Sequence, residues 1–189
     1  MSGTERVLAW VRTLPAAAGR TRVVAVEGRS GAGKTGLAGA LADALHAPLV
    51  RMDDLYPGWD GLRGGVEALH DWILAPLAAG HPIRRRSWDW AADAYRDWEP
   101  LTVGTDLVVE GVGCGARALA PYRSGLIWID APDDVRRRRA LERDGEAYAP
   151  HWERWARQED TFYAANRVRA NADLIIDNSG GTASGPPLP

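Results

Sequence analysis

Residues 28–35 read Gly28-Arg29-Ser30-Gly31-Ala32-Gly33-Lys34-Thr35, a Gly-x4-Gly-Lys-Thr run that directly follows the apolar stretch Val23-Val24-Ala25-Val26-Glu27. A glycine-rich turn running into a helix N-terminus lets several backbone N–H groups converge on phosphate oxygens without Cβ clashes. In such a loop the Lys34 ammonium neutralises β/γ charge and the Thr35 hydroxyl sits on Mg²⁺. The stretch Gly28, Arg29, Ser30, Gly31, Ala32, Gly33, Lys34 and Thr35 is therefore the expected seat of a nucleoside triphosphate. Leu37, Ala38, Leu41, Ala44 and Leu45 then follow at helical spacing, as the motif's mechanics require.

Acids stand where a metal and a base would be needed. Asp53 and Asp54 directly follow the second expected strand, which in an open α/β sheet places them at the carboxyl edge beside the phosphate loop. Phosphoryl transfer asks for a carboxylate that orients the acceptor hydroxyl and takes its proton, and Asp53 is the candidate. Glu110 ends the run Leu107-Val108-Val109 and precedes Gly111, the position from which an acid contacts Mg²⁺ directly or through water. Asp130 and Asp177 also end apolar runs. Asp130 precedes Ala131-Pro132 and reads equally as a helix cap.

Arg136 to Arg139 form a cationic block with Arg143 one turn further, and on a helix Arg139 and Arg143 share a face. The block reads either as a solvated surface or as a lid that clamps phosphates. Nine tryptophans against one phenylalanine is unusual, and Trp88-Asp89-Trp90 with Tyr95 and Trp98 is the densest aromatic stretch, able to stack a flat acceptor. Arg84, Arg85 and Arg86 precede it and, if extended, alternate faces.

The elements that must position these groups alternate. A helix near residues 3–14, a strand at 22–27, the loop, a helix to about His46 and a strand at 48–52 open the chain. The runs 106–111, 125–130 and 172–177 read as strands buried on both faces and opening into a polar site at their ends. Helices are expected near 64–79, 114–121, 133–143 and 151–170. The order predicts an α/β fold, a three-layer arrangement with a mostly five-stranded parallel sheet flanked by helices.

At 189 residues and 46% apolar the chain suits one domain, placed at 1–178. Residues 179–189, rich in Gly, Ser and Pro, are expected to form a disordered tail. A net charge of −2 favours a small anionic ligand over nucleic acid. One cysteine and four scattered histidines provide no zinc cluster, so any metal should be hard and oxygen-bound. No apolar run approaches membrane-spanning length, and a cytoplasmic location without membrane partners is expected.

Taken together, these residues resemble the uridine kinase and phosphoribulokinase group of P-loop kinases from about Val23 to Asp177. The likeness lies in Gly28–Thr35, in Asp53-Asp54-Leu55-Tyr56 against the family's Asp-x-Phe-Tyr, and in Gly80-His81-Pro82-Ile83 leading to Trp88-Asp89-Trp90 against Tyr-Asp-Phe. Glu110-Gly111, the arginines from Arg139 to Asp144, and Ala172-Asp173-Leu174-Ile175-Ile176 complete it. The resemblance implies a P-loop NTPase fold with a short lid, ATP and Mg²⁺ as cofactors, and Asp53 as base and metal contact beside Thr35 and Glu110. It further implies Tyr56 and Trp88 at a nucleoside and Arg139 or Arg143 at the phosphates, and it makes a homo-oligomer an expectation. The family's His-Pro-x-Ala-Phe-Asp segment is absent, and Trp59 and Asp60 are its substitutes in Pro57-Gly58-Trp59-Asp60-Gly61-Leu62. The lid carries one extra residue between arginines.

The expected activity is phosphoryl transfer to a hydroxyl of a nucleoside or nucleoside-like sugar. A nucleoside monophosphate kinase, with Arg84 to Arg86 as its phosphate pocket, is one alternative. A regulatory nucleotide-binding protein is another, although no Asn-Lys-x-Asp guanine-reading segment occurs.

Overall fold

The computed structural model describes residues 3–180, with the backbone alone at Arg143, Asp144, Glu146 and Ala147. Helix α1 (Gly3–Val11) leads to strand β1 (Arg22–Glu27), helix α2 (Lys34–Leu45) and strand β2 (Leu49–Arg51). Strands β3 (Ile83–Arg85), β4 (Trp88–Asp89), β5 (Ala94–Tyr95) and β6 (Glu99–Leu101) follow a helical segment made of α3 (Leu62–Ala68), a π-helical stretch (Leu69–Leu74) and α4 (Ala75–Ala79). Strands β7 (Asp106–Glu110) and β8 (Gly125–Asp130), helices α5 (Asp133–Tyr148) and α6 (Trp152–Asn166), and strand β9 (Leu174–Asp177) complete the order.

The main sheet is parallel, in the order β2-β7-β1-β8-β9. Its central strands carry apolar side chains on both faces because helical layers cover both. Val24 and Val26 pack with Val7, Val11, Leu41 and Ile127 on the α1/α2 side, whereas Val23 and Ala25 face a second core with Leu69, Ile73, Leu107, Leu126 and Trp155. The register pairs Arg51 and Val26 with Glu110, Glu27 with Trp128, and Asp130 with Asp177, so Glu27, Glu110, Asp130 and Asp177 share the carboxyl edge. The three-layer α/β expectation holds.

The sequence reading needs four adjustments. The first helix stops at Val11, and the last at Asn166, where Arg167 takes a left-handed conformation (φ 51). The helix expected at 114–121 is a 3₁₀ turn at Arg117–Tyr122, since Gly111, Gly113 and Gly115 precede it and Pro121 lies inside it. Two antiparallel pairs, β3 with β6 and β4 with β5, fill the stretch between the acid pair and β7. Residues 181–189 of the expected tail lie outside the described residues.

Candidate active site

The phosphate loop links β1 to α2, and its glycines are required by what surrounds them. Gly28 has φ +149, and a Cβ there would stand 2.5 Å from the Ile129 carbonyl oxygen. Gly31 has φ +78, and its Cβ would stand 2.1 Å from the carbonyl oxygen of Arg136 on α5. Any side chain at either position collides with backbone, so the loop is built for close approach. Lys34 Nζ donates to the carbonyls of Gly28 (2.8 Å) and Arg29 (3.1 Å). The ammonium is thus folded onto the loop that it would serve.

Thr35 Oγ1 donates to Glu110 Oε1 at 3.3 Å. Burial and the neighbouring Asp53 charge push the Glu110 carboxyl up to about 7, against the pull of Lys34, Arg51 and Thr35. Two acids close together, next to a hydroxyl one residue past the loop lysine, form a place where a hard cation would offset their mutual repulsion. Among the described residues no group of three or more His, Cys, Asp or Glu side chains is gathered to hold a metal by itself.

Asp53 and Asp54 lie in a 3₁₀ turn (Met52–Asp54) that continues β2. Burial raises the Asp54 carboxyl, with Arg85 opposing and Asp53 adding to the shift. Two tethers from the β4/β5 hairpin fix this turn. Trp90 Nε1 donates to the Asp53 carbonyl (3.1 Å), and the Tyr95 hydroxyl donates to the Leu55 carbonyl (2.8 Å). Asp53, Glu110, Thr35 and Lys34, chosen from sequence, are brought to one edge.

Other expected residues stand elsewhere. Tyr56, expected at the acceptor, is fully buried behind the turn; its hydroxyl donates to the Val112 carbonyl (2.6 Å) and its ring packs 4.7 Å from Trp155. Trp59 is held by the end of the lid, stacked on His151 (4.2 Å, 11°) and Tyr148 (5.4 Å, 15°), while Asp60 pairs with Arg154. Trp88 is half-buried, with its ring edge-on to Tyr95. Of the arginine block, Arg136 and Arg139 face inward and Arg137 and Arg138 outward. Arg136 Nη1 donates to the Ser30 carbonyl (3.0 Å), and Arg139 Nη2 to the Asn178 carbonyl (2.9 Å). The side chain of Arg143 lies outside the described residues.

Sequence reasoning missed two buried acids. Glu27 accepts from the amides of Gly28 (3.1 Å), Gly113 (2.8 Å) and Gly115 (2.8 Å) and from the Tyr163 hydroxyl (2.8 Å). Burial nevertheless raises its carboxyl above the usual range, because desolvation outweighs these bonds. Glu159 accepts from the Ser30 amide (2.9 Å), the Ser30 hydroxyl (2.7 Å) and Trp155 Nε1 (3.1 Å). Ser30 and Arg29, expected in the cradle, are therefore turned to α6; Arg29 pairs with Asp160 at 2.7 Å. The spacing Trp155, Glu159, Tyr163 puts all three on one helix face, and an acid inside that aromatic stripe was the available signal.

No family model matches the chain. The cytidylate kinase of Pyrobaculum arsenaticum is 31% identical over 165 residues, covering 83% of this chain and 84% of its own length. The chain belongs to the P-loop kinase family of that relative. Among solved structures, a possible uridine kinase from Bacillus stearothermophilus has a TM-score of 0.66 at 19% identity, over 92% of this chain and 97% of that one. A candidate fructose transport system kinase from Silicibacter sp. TM1040 gives 0.56 at 21% identity, over 93% and 98%. These two share the fold of this chain. A groove of about 870 Å³ borders its loop on the α1 side, lined by Gly33, Leu37, Arg139, Ile175 and Asn178 among others. No helix among the described residues is long and apolar enough to cross a membrane.

Proposed function

We propose that this chain is an ATP- and Mg²⁺-dependent kinase that moves the γ-phosphoryl group to a hydroxyl of a small acceptor of nucleoside or nucleoside-like sugar type. The observation that carries the reading is the meeting of Asp53, Glu110 and Thr35 at the ends of two adjacent strands, with the Asp53 charge acting on Glu110. A base, a metal-facing acid and a metal-facing hydroxyl are what transfer to a hydroxyl requires from a protein.

Lys34 and the amides of residues 31–35 bind the polyphosphate, and the donor base faces the groove beside Asn178. Thr35 and Glu110 would hold Mg²⁺, with Asp53 as a further contact; when bound, the ion screens phosphate charge. Asp53 orients the acceptor hydroxyl and accepts its proton. Arg139, with Arg143 on the same helix, offsets charge developing on the transferred group. Trp88 lies beside the acceptor.

Incubating the protein with ATP, Mg²⁺ and a panel of nucleosides, pentoses and nucleoside monophosphates, while following ADP release, tests the reading. Stimulation by neutral hydroxyl acceptors and a phosphomonoester product support it. A nucleoside diphosphate as the sole product would replace it with monophosphate kinase activity, and no stimulation by any acceptor would favour a regulatory nucleotide-binding protein.

A further inference from the structure

Arg86 is the odd cation of the aromatic segment. Its guanidinium carbon lies 4.4 Å from the ring centre of Tyr95, 4.9 Å from that of Trp98 and 5.3 Å from that of Trp72. Three rings thus hold it in place. Among the described residues its guanidinium makes neither a hydrogen bond nor an ion pair, and its Nε is buried without an acceptor. Glu99 is paired with Arg85 (3.0 Å), and Asp89 with Arg96 (3.0 Å) and the amides of Ala91 and Ala92.

Trp88 adds a second stranded donor. Its ring packs on the same Tyr95 ring at 4.9 Å, and its Nε1 is also buried without an acceptor. A buried indole N–H normally finds a partner, and a buried guanidinium nitrogen without an acceptor is costly. Both groups are tied to the reaction edge, since the Tyr95 hydroxyl holds the Leu55 carbonyl and Trp90 of the same hairpin holds that of Asp53.

We propose that Arg86 and Trp88 form a subsite for an anionic group of the phosphoryl acceptor, a carboxylate or a phosphate monoester, at a distance from the hydroxyl that Asp53 serves. A planar, pre-positioned guanidinium is matched to either anion, and an adjoining indole N–H supplies a further bond to it. This deepens the kinase reading and rests on it. The acceptor is then a charged sugar or nucleoside derivative, selected over its neutral counterpart by this corner.

The test uses matched pairs with the intact protein and Mg²⁺-ADP: ribose with ribose 5-phosphate, cytidine with cytidine 5′-monophosphate, and glycerol with glycerate. Calorimetry should give at least one charged member a roughly tenfold or greater advantage over its neutral partner, and the pair that responds separates phosphate from carboxylate. Arg86→Met, which keeps the stem between the rings, should abolish that advantage while Mg²⁺-ATP affinity stays unchanged; Arg86→Lys should retain part of it. Equal binding of charged and neutral members in every pair, or a preference that survives Arg86→Met, overturns the subsite. Transfer onto the phosphate itself would put the anion at the reaction edge and overturn both this distant subsite and the hydroxyl-acceptor reading, whereas equal binding with a phosphorylated hydroxyl product overturns the subsite alone.

Discussion

Glu159 Oε1 accepts both the amide and the hydroxyl of Ser30, joining the helix after the lid to the tip of the phosphate loop. The carboxylate is 1% exposed, so the bonds form away from water, where a charged acceptor is strongest. Glu159 is therefore a positioning residue that acts through Ser30. Glu159→Ala should raise KM for ATP by roughly tenfold with kcat nearly unchanged, and lower stability by about 1–3 kcal/mol. Glu159→Gln, which keeps the acceptor oxygen, should recover most of the KM; steady-state kinetics with both variants decides the matter, and an unchanged KM in the alanine variant removes the role.

Asp53→Asn keeps the shape of the acid turn, whose backbone is held by Trp90 and Tyr95. Turnover should fall by roughly 10²–10⁴, the usual worth of a general base. The affinity for Mg²⁺-ATP, read by calorimetry, should stay within a few-fold of wild type. Equal turnover in the two proteins would exclude Asp53 from proton transfer.

Lys34→Ala removes the ammonium that now bridges the carbonyls of Gly28 and Arg29. Both ATP affinity and rate should drop, because the same charge meets the phosphates in the bound and the reacting state. Retention of wild-type affinity in a calorimetric titration would contradict the assignment of the loop.

The raised carboxyl of Glu110 makes a pH prediction with a definite sign. Its folded value of about 7 lies above the ordinary 4.5, so the folded state binds more protons between those values and stability is lost as pH rises through that window. The loss attributable to this group is about 3 kcal/mol at most. Glu110→Gln should flatten that part of the profile in denaturant titrations between pH 4.5 and 8. Mg²⁺-dependent stabilisation of the nucleotide-bound protein should grow over the same range in wild type and not in the variant; parallel profiles would show that Glu110 does not face the cation.

The strands of the main sheet were legible because Val23 to Val26, Leu107 to Val109 and Leu126 to Ile129 are unbroken apolar runs, the mark of burial on both faces. The places of the loop, Asp53 and Glu110 at strand ends were legible because each follows an expected strand. Residues 83–101 were opaque. Their strands are two or three residues long, hold Arg, Trp and Glu, and owe their pairing to tertiary contacts such as Trp90 with Asp53 and Tyr95 with Leu55. The burial of Tyr56 was hidden because a motif fixes a residue's place along the chain and not the direction of its ring. Glu27 and Glu159 were passed over because a lone acid in an apolar stretch shows no partner until distant amides are folded onto it.

Helix α6 is fastened twice, by Tyr163 to Glu27 at the root of the loop and by Glu159 to Ser30 at its tip. The arginine-bearing helix before it carries a break at Gly145, where φ is 56 and ψ is −137. On the proposed kinase reading, a rearrangement of the arginines around a departing product would be absorbed at that glycine and in the turn at 149–151, since α6 is moored to the floor of the site at both points. Stiffening position 145 would consequently throttle product escape before it harmed the chemical step.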